Sequence, residues 1–121
     1  MKPDTKHKKG MLGQKEAELF LIKNGYKIIK QNFRIKIGEI DIIAQKENYI
    51  IFIEVKFRTN LTHGLPREAV GYLKQKKIHR TALYYISTNR LDSFDFRFDV
   101  IEVLEQNGRL YINHIQNAFD V

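Results

Sequence analysis

The sequence predicts one α/β domain in which a central mixed β-sheet is flanked by α-helices. A helical apolar stripe near the N-terminus is followed by segments dense in Ile, Val and Phe, in which charged residues fall at every second position. A second helical stretch and further alternating segments then complete the chain, and this succession of helices and strands is the pattern of a layered α/β fold. At 121 residues there is enough chain for one hydrophobic core and little for a second.

Residues 1–10, MKPDTKHKKG, carry Lys2, Lys6, Lys8 and Lys9 and read as a flexible basic arm, leaving residues 11–121 as the folded domain. Such an arm either aids solubility or tracks phosphates. From Gly13 to about Asn24, the residues Ala17, Leu19, Phe20 and Leu21 give the first helix, with Asn24-Gly25 as its C-cap. Tyr26 to Lys30 reads as a strand, and Phe33 to Ile37 as its continuation into Gly38-Glu39-Ile40-Asp41-Ile42-Ile43-Ala44. The short polar interval Gln45 to Asn48 then suits a hairpin to Phe52-Ile53-Glu54-Val55-Lys56, so these two segments should pair antiparallel.

Thr59 to Gly64 reads as a loop, and Pro66 is placed for the first turn of a helix running to about Ser87. Ala69, Val70, Leu73, Ala82 and Tyr85 give that helix an apolar face, while Lys74, Lys77 and Arg80 recur at three-residue spacing on its other side. Phe96, Phe98 and Val100 alternate along a further strand, and Asn107-Gly108 is a hairpin turn before Leu110 to Ile115. The phenylalanines, with Tyr84 and Tyr85, read as packing residues, since alternate burial explains them without a ligand.

Composition narrows the classes of function. Lys and Arg total 21 against 14 acidic residues, a formal charge of +7 that favours an anionic partner. There is no cysteine, which excludes disulfides and thiolate chemistry. No apolar run is long enough to span a bilayer, and the N-terminus lacks the apolar segment of a secretory signal, so the expectation is a cytoplasmic protein away from membranes. His7, His63, His79 and His114 show no metal-ligand spacing and read as surface or structural residues; only His63 falls near the charged strands in sequence.

Chemistry concentrates on the central hairpin. Successive side chains on a strand point to opposite faces, so Glu39 and Asp41 share one face, as do Glu54 and Lys56, with Ile40, Ile42, Ile53 and Val55 on the other. A Glu47-Asn48 turn sets Asp41 opposite Glu54 and Glu39 opposite Lys56; a Lys46-Glu47 turn instead brings Glu39 to Glu54. Like charges facing each other destabilise a sheet, so three carboxylates need a compensating cation. Lys56 is one candidate and a divalent metal another; an oxygen-only donor set suits Mg²⁺ or Mn²⁺ and points to phosphate chemistry. The alternative is a solvated hairpin face with cross-strand ion pairs.

The order Gly-Glu-x-Asp at Gly38 to Asp41, a turn, then Glu-x-Lys at Glu54 to Lys56 resembles the PD-(D/E)xK nuclease superfamily, which includes many restriction enzymes and the archaeal Holliday junction resolvases. The chain from Gly13 through Gly25-Tyr26, Asn32-Phe33-Arg34 and the two charged strands to Arg97-Phe98-Asp99-Val100 is more closely similar to the small bacterial YraN-like family. This resemblance implies a restriction-endonuclease-like fold, with Asp41 and Glu54 holding Mg²⁺ or Mn²⁺, helped by the Val55 carbonyl. It also implies that Lys56 serves the attacking water, and Glu39 matches the pattern as a further catalytic candidate. The implied activity is hydrolysis of DNA phosphodiesters, with branched DNA by analogy to the resolvases, and a homodimer would suit cutting two strands. Arg58, Lys74, Lys77 and Arg80 are the candidate nucleic-acid contacts.

One position departs from the family pattern. Relatives carry Gly-Glu near the start of the first helix, where this chain has Gly13-Gln14. Gln14 offers an amide oxygen without charge, and Glu18, one helical turn on, is the candidate substitute. The departure keeps a second reading open, a non-catalytic nucleic-acid-binding module with a nuclease fold.

Overall fold

The computed structural model describes residues 5–59 and 70–119, with side chains from Lys8 onward. Two helices, α1 (Thr5–Lys23) and α2 (Tyr72–Thr88), cover opposite faces of a five-stranded sheet made of β1 (Lys27–Ile35), β2 (Gly38–Lys46), β3 (Tyr49–Arg58), β4 (Asp95–Gln106) and β5 (Arg109–Ile115). The strands lie in chain order. All neighbours are antiparallel except β3 and β4, which run parallel because α2 lies between them in the chain. This mixed sheet flanked by helices is the expected α/β architecture and accords with a restriction-endonuclease-like fold.

α1 begins at Thr5 rather than Gly13, so residues 5–10 of the expected arm are helical. It ends where Asn24-Gly25 predicts, with the Tyr26 amide donating to the Leu21 carbonyl at 2.9 Å. Ala17 and Leu21 point into the core, but Leu19 is exposed, because its position falls outside the stripe that meets the sheet. Pro66, His63, Ala69 and most of the expected loop lie outside the described residues. In α2 the buried residues are Ile78, Thr81, Ala82, Tyr85 and Ile86. Leu73, expected on that face, is 74% exposed; Tyr84 is also exposed and lies against Phe33, with ring centroids 6.5 Å apart.

The sheet separates two apolar clusters. On the α1 side Ala17, Leu21, Tyr26, Ile42, Ala44, Ile51, Ile53, Ile101 and Val103 pack together. On the α2 side Ile40, Ile43, Ile50, Phe52, Ile78, Ala82, Tyr85 and Val100 do so. β3 alternates strictly between them, so both faces of this central strand are dry, as strands covered by helices require. β2 does not alternate strictly. Ile40 packs on the α2 side and Ile42 on the α1 side, which two-residue periodicity forbids, so the strand changes face around Asp41. The neighbouring strand matches it: Phe33 packs on the α2 side while Gln31 reaches Glu18 of α1, and the residue between them, Asn32, has φ +50°. Asn tolerates this left-handed conformation better than most residues.

Candidate active site

The change of face in β2 opens the sheet where its charged residues lie. β2 pairs with β3 from Lys46–Tyr49 to Ile42–Ile53, the register of the Glu47-Asn48 turn. One step further Asp41 would face Glu54. There the side chain replaces the ladder: Asp41 Oδ2 accepts the Val55 N–H at 2.8 Å. Gly38 allows the start of β2 to approach α2, since a Cβ there would meet Thr81 Oγ1 at 2.5 Å and the Lys77 carbonyl at 3.2 Å. On the other face α1 comes down on β3 at Gly13, where a Cβ would lie 3.0 Å from the Phe57 ring, and this contact sets the height of Gln14.

Two cavities meet at the gap. One, of about 660 Å³ on the α1 side, is lined by Gln14, Lys15, Glu18, Gln31, Arg34 and Glu39 among others and reaches Asp41 and Val55. The other, of about 460 Å³ on the α2 side, is lined by Gly38, Glu39, Asp41, Glu54, Lys74 and Lys77 with Leu73 and Ile78. Glu39 and Asp41 line both.

The electrostatics single out a pair. Burial, followed by repulsion from Asp41, raises Glu54 from an ordinary 4.5 to about 7, against the attraction of Lys74 and Lys56. Asp41 is also raised, again chiefly by burial, although the Val55 amide and Lys74 oppose the shift. Lys56 is lowered, first by burial and then by the neighbouring Lys74. Lys74 is raised: burial works against its charge, but Glu54 outweighs that. Its Nζ lies 3.0 Å from Glu54 Oε2.

Several expected site residues are placed differently. Glu39 joins Arg34 of β1, whose Nη2 donates to both carboxylate oxygens at 3.2 Å, while it also lines both cavities and adds to the raising of Asp41. Among the described residues no group of three or more His, Cys, Asp or Glu side chains is arranged to hold a metal. Glu18 accepts the side-chain amide of Gln31. Arg58, expected to meet nucleic acid, is paired with Glu102 of β4, the two side chains being 13% and 6% exposed. Lys74 belongs to the site itself, Lys77 lines its α2-side mouth, and Arg80 is exposed and lines neither cavity. Sequence reading missed the Glu54–Lys74 pair because it joins separate elements; the three-residue spacing marked Lys74 as basic but not what it touches.

The donors nevertheless fit a hard cation. Among the described residues Asp41 commits only Oδ2, and Glu54 only Oε2, to a polar partner. One or two carboxylates with water and substrate oxygens are a common Mg²⁺ environment.

The family model described as "Uncharacterised protein family UPF0102" matches residues 13–103. This chain belongs to the UPF0102 family. It is 51% identical over 116 residues to a UPF0102 protein of Clostridium acetobutylicum, covering 94% of this chain and 95% of the relative. It is 52% identical over 111 residues to one of Clostridioides difficile, covering 92% and 96%. A UPF0102 protein of Caldanaerobacter subterraneus subsp. tengcongensis is 47% identical over 122 residues, covering 98% and 100%. The matched span of the UPF0102 model includes Gln14, both charged strands, α2 and the Arg97 to Asp99 segment. Among the described residues, no helix is long and apolar enough to cross a membrane.

Proposed function

We propose that this UPF0102 protein is a divalent-cation-dependent nuclease of the PD-(D/E)xK superfamily that hydrolyses DNA phosphodiesters in the cytoplasm. The observation that carries the reading is the half-buried Asp41 and the buried Glu54 lining one cavity at the opening between β2 and β3, both raised chiefly by burial, beside a lysine whose charge is disfavoured. A fold spends stability on such a pair where a ligand will compensate it. Asp41, Glu54 and the Val55 carbonyl would hold Mg²⁺ or Mn²⁺, which supplies charge stabilisation at the phosphate and a more acidic water. Lys56 would hold the nucleophilic water, and its disfavoured ammonium form supports a role in taking up the proton. Asp41 is held through Oδ2 by the Val55 amide, which leaves Oδ1 for the cation. The surplus of basic residues favours approach of a polyanion, and a homodimer would allow two strands to be cut.

A second reading, a non-catalytic nucleic-acid-binding module, is favoured by two features: Gln14 brings no charge, and Lys74 already offsets Glu54. Cleavage separates the two. Incubation of duplex, single-stranded, flap and four-way-junction DNA with Mg²⁺ or Mn²⁺ is expected to give products that Glu54→Ala abolishes. Folded protein that cuts none of these substrates with either metal, yet binds DNA in a salt-sensitive way, establishes the second reading.

A further inference from the structure

Among the described residues α2 starts without an acidic residue in its first turn and without a side-chain cap, yet carries Lys74 in that turn and Lys76 and Lys77 just beyond it. Cations at this end oppose the helix dipole, so their placement calls for anions. Lys76 lies over the Tyr72 ring at 4.7 Å, and Lys77 lines the α2-side cavity. Lys74 reaches inward to Glu54, although its own side chain is 46% exposed. The body of the helix is fixed by Ile78, Ala82, Tyr85 and Ile86 and by the close contact of Thr81 with Gly38. The long Lys74 side chain can therefore turn within the cavity without moving α2.

An ammonium at 3.0 Å from Glu54 Oε2 stands where a second cation would also be drawn. Two cations on one carboxylate repel each other, even with Lys74 on Oε2 and the metal on Oε1, so the two occupants compete. We propose that Lys74 is a movable counterion that neutralises Glu54 in the free protein and transfers to a non-bridging phosphate oxygen of the nucleic acid when a divalent cation binds. The inference rests on the proposed function and assigns Lys74 as a positioning residue. It makes metal and polynucleotide binding mutually reinforcing: the phosphate draws Lys74 off Glu54, and the cation releases it toward the phosphate. Reciprocity of the two affinities is then required by linkage.

Mn²⁺ binding tests this without reading cleavage. Calorimetric titrations would compare wild type, Lys74→Met and Lys74→Arg, with and without a single-stranded phosphorothioate oligonucleotide, at fixed ionic strength and with folding checked by circular dichroism. Lys74→Met removes the competitor and is expected to bind Mn²⁺ about tenfold more tightly than wild type in the absence of DNA. Wild type and Lys74→Arg are expected to gain about tenfold in Mn²⁺ affinity on adding the oligonucleotide, a gain that Lys74→Met lacks. Equal Mn²⁺ affinities in wild type and Lys74→Met, or an equal gain on DNA, overturn the counterion role while leaving the metal site standing. Absence of Mn²⁺ binding in all three proteins overturns the metal-dependent function and the counterion role together.

Discussion

Asp99 and the Asp41–Glu54 pair are carboxylate sites of one sheet with opposite surroundings. Asp99 on β4 is fully buried, yet it accepts from Arg97 Nε and Nη2 at 2.9 Å, from the Asn117 amide at 3.1 Å, and lies 2.7 Å from His114 Nε2. Burial works to raise it, but these bonds outweigh burial and hold it below the ordinary value. Tyr26 completes the network by lying 2.8 Å from Arg97 through its hydroxyl, joining the α1 end of the chain to β4. Glu54 is buried and Asp41 half-buried, but there burial prevails, helped by repulsion from Asp41 at Glu54 and from Glu39 at Asp41, and both are raised. Asp99 is satisfied by the fold and serves it. At the Asp41–Glu54 pair Lys74 and Lys56 do not offset the effect of burial, and under the proposed function a divalent cation makes up this deficit.

The largest expected effect lies on the satisfied side. Asp99→Ala leaves the half-buried Arg97 without its carboxylate partner and is expected to cost about 3 kcal/mol of stability, measured by urea denaturation. Glu54→Gln should cost nothing or stabilise, because it removes a charge the fold disfavours; a loss comparable to that of Asp99→Ala would erase the distinction between the two regions.

Next in size is the pH dependence, where the two regions have opposite signs. Glu54, raised from 4.5 to about 7, binds its proton more tightly folded than unfolded, so stability falls as pH rises across that window and levels above it. The difference is on the order of a few kcal/mol. Asp99 is lowered from 3.8, so its contribution is present above that value and lost as pH falls below it. Denaturation at a series of pH values without divalent cations should show both limbs in wild type, and Glu54→Gln should lose the fall toward pH 7 while keeping the Asp99 limb and the Asp41 contribution at lower pH.

Gln14→Glu would sharpen the deficit. An added carboxylate in the cavity that reaches Asp41 and Val55 is expected to raise Mg²⁺ affinity about tenfold, on the scale of one pKa unit of interaction, by calorimetry. The smallest effect is expected at Arg34, whose pairing with Glu39 is largely solvated; Arg34→Ala should change stability by less than about 1 kcal/mol.

What the sequence reveals follows the range of the interactions. Local periodicity is enough to put Glu54 and Lys56 on one face of β3, and the polar interval allows the Glu47-Asn48 register that the hairpin adopts. The change of face at Asp41 is not legible, because it depends on a left-handed Asn32 in the neighbouring strand and on paired departures in β1 and β2. Periodicity therefore places Glu39 with the site but does not show its pairing with Arg34. The Arg97-Phe98-Asp99-Val100 segment stands out as a family feature, but its role emerges only when β5 and α1 bring His114 and Tyr26 to it. Lys74 and Arg58 are visible as basic residues, whereas their carboxylate partners are set by tertiary packing.

The most direct measurement is a carboxyl-carbon NMR titration of Asp41, Glu54 and Asp99 in the absence and presence of Mg²⁺. Glu54 should titrate near 7 without metal, and Mg²⁺ should move Glu54 and Asp41 downward while Asp99 does not respond. A Glu54 carboxyl that titrates near its ordinary 4.5 and ignores Mg²⁺ would contradict the claim that this pair is a cation site awaiting its ligand.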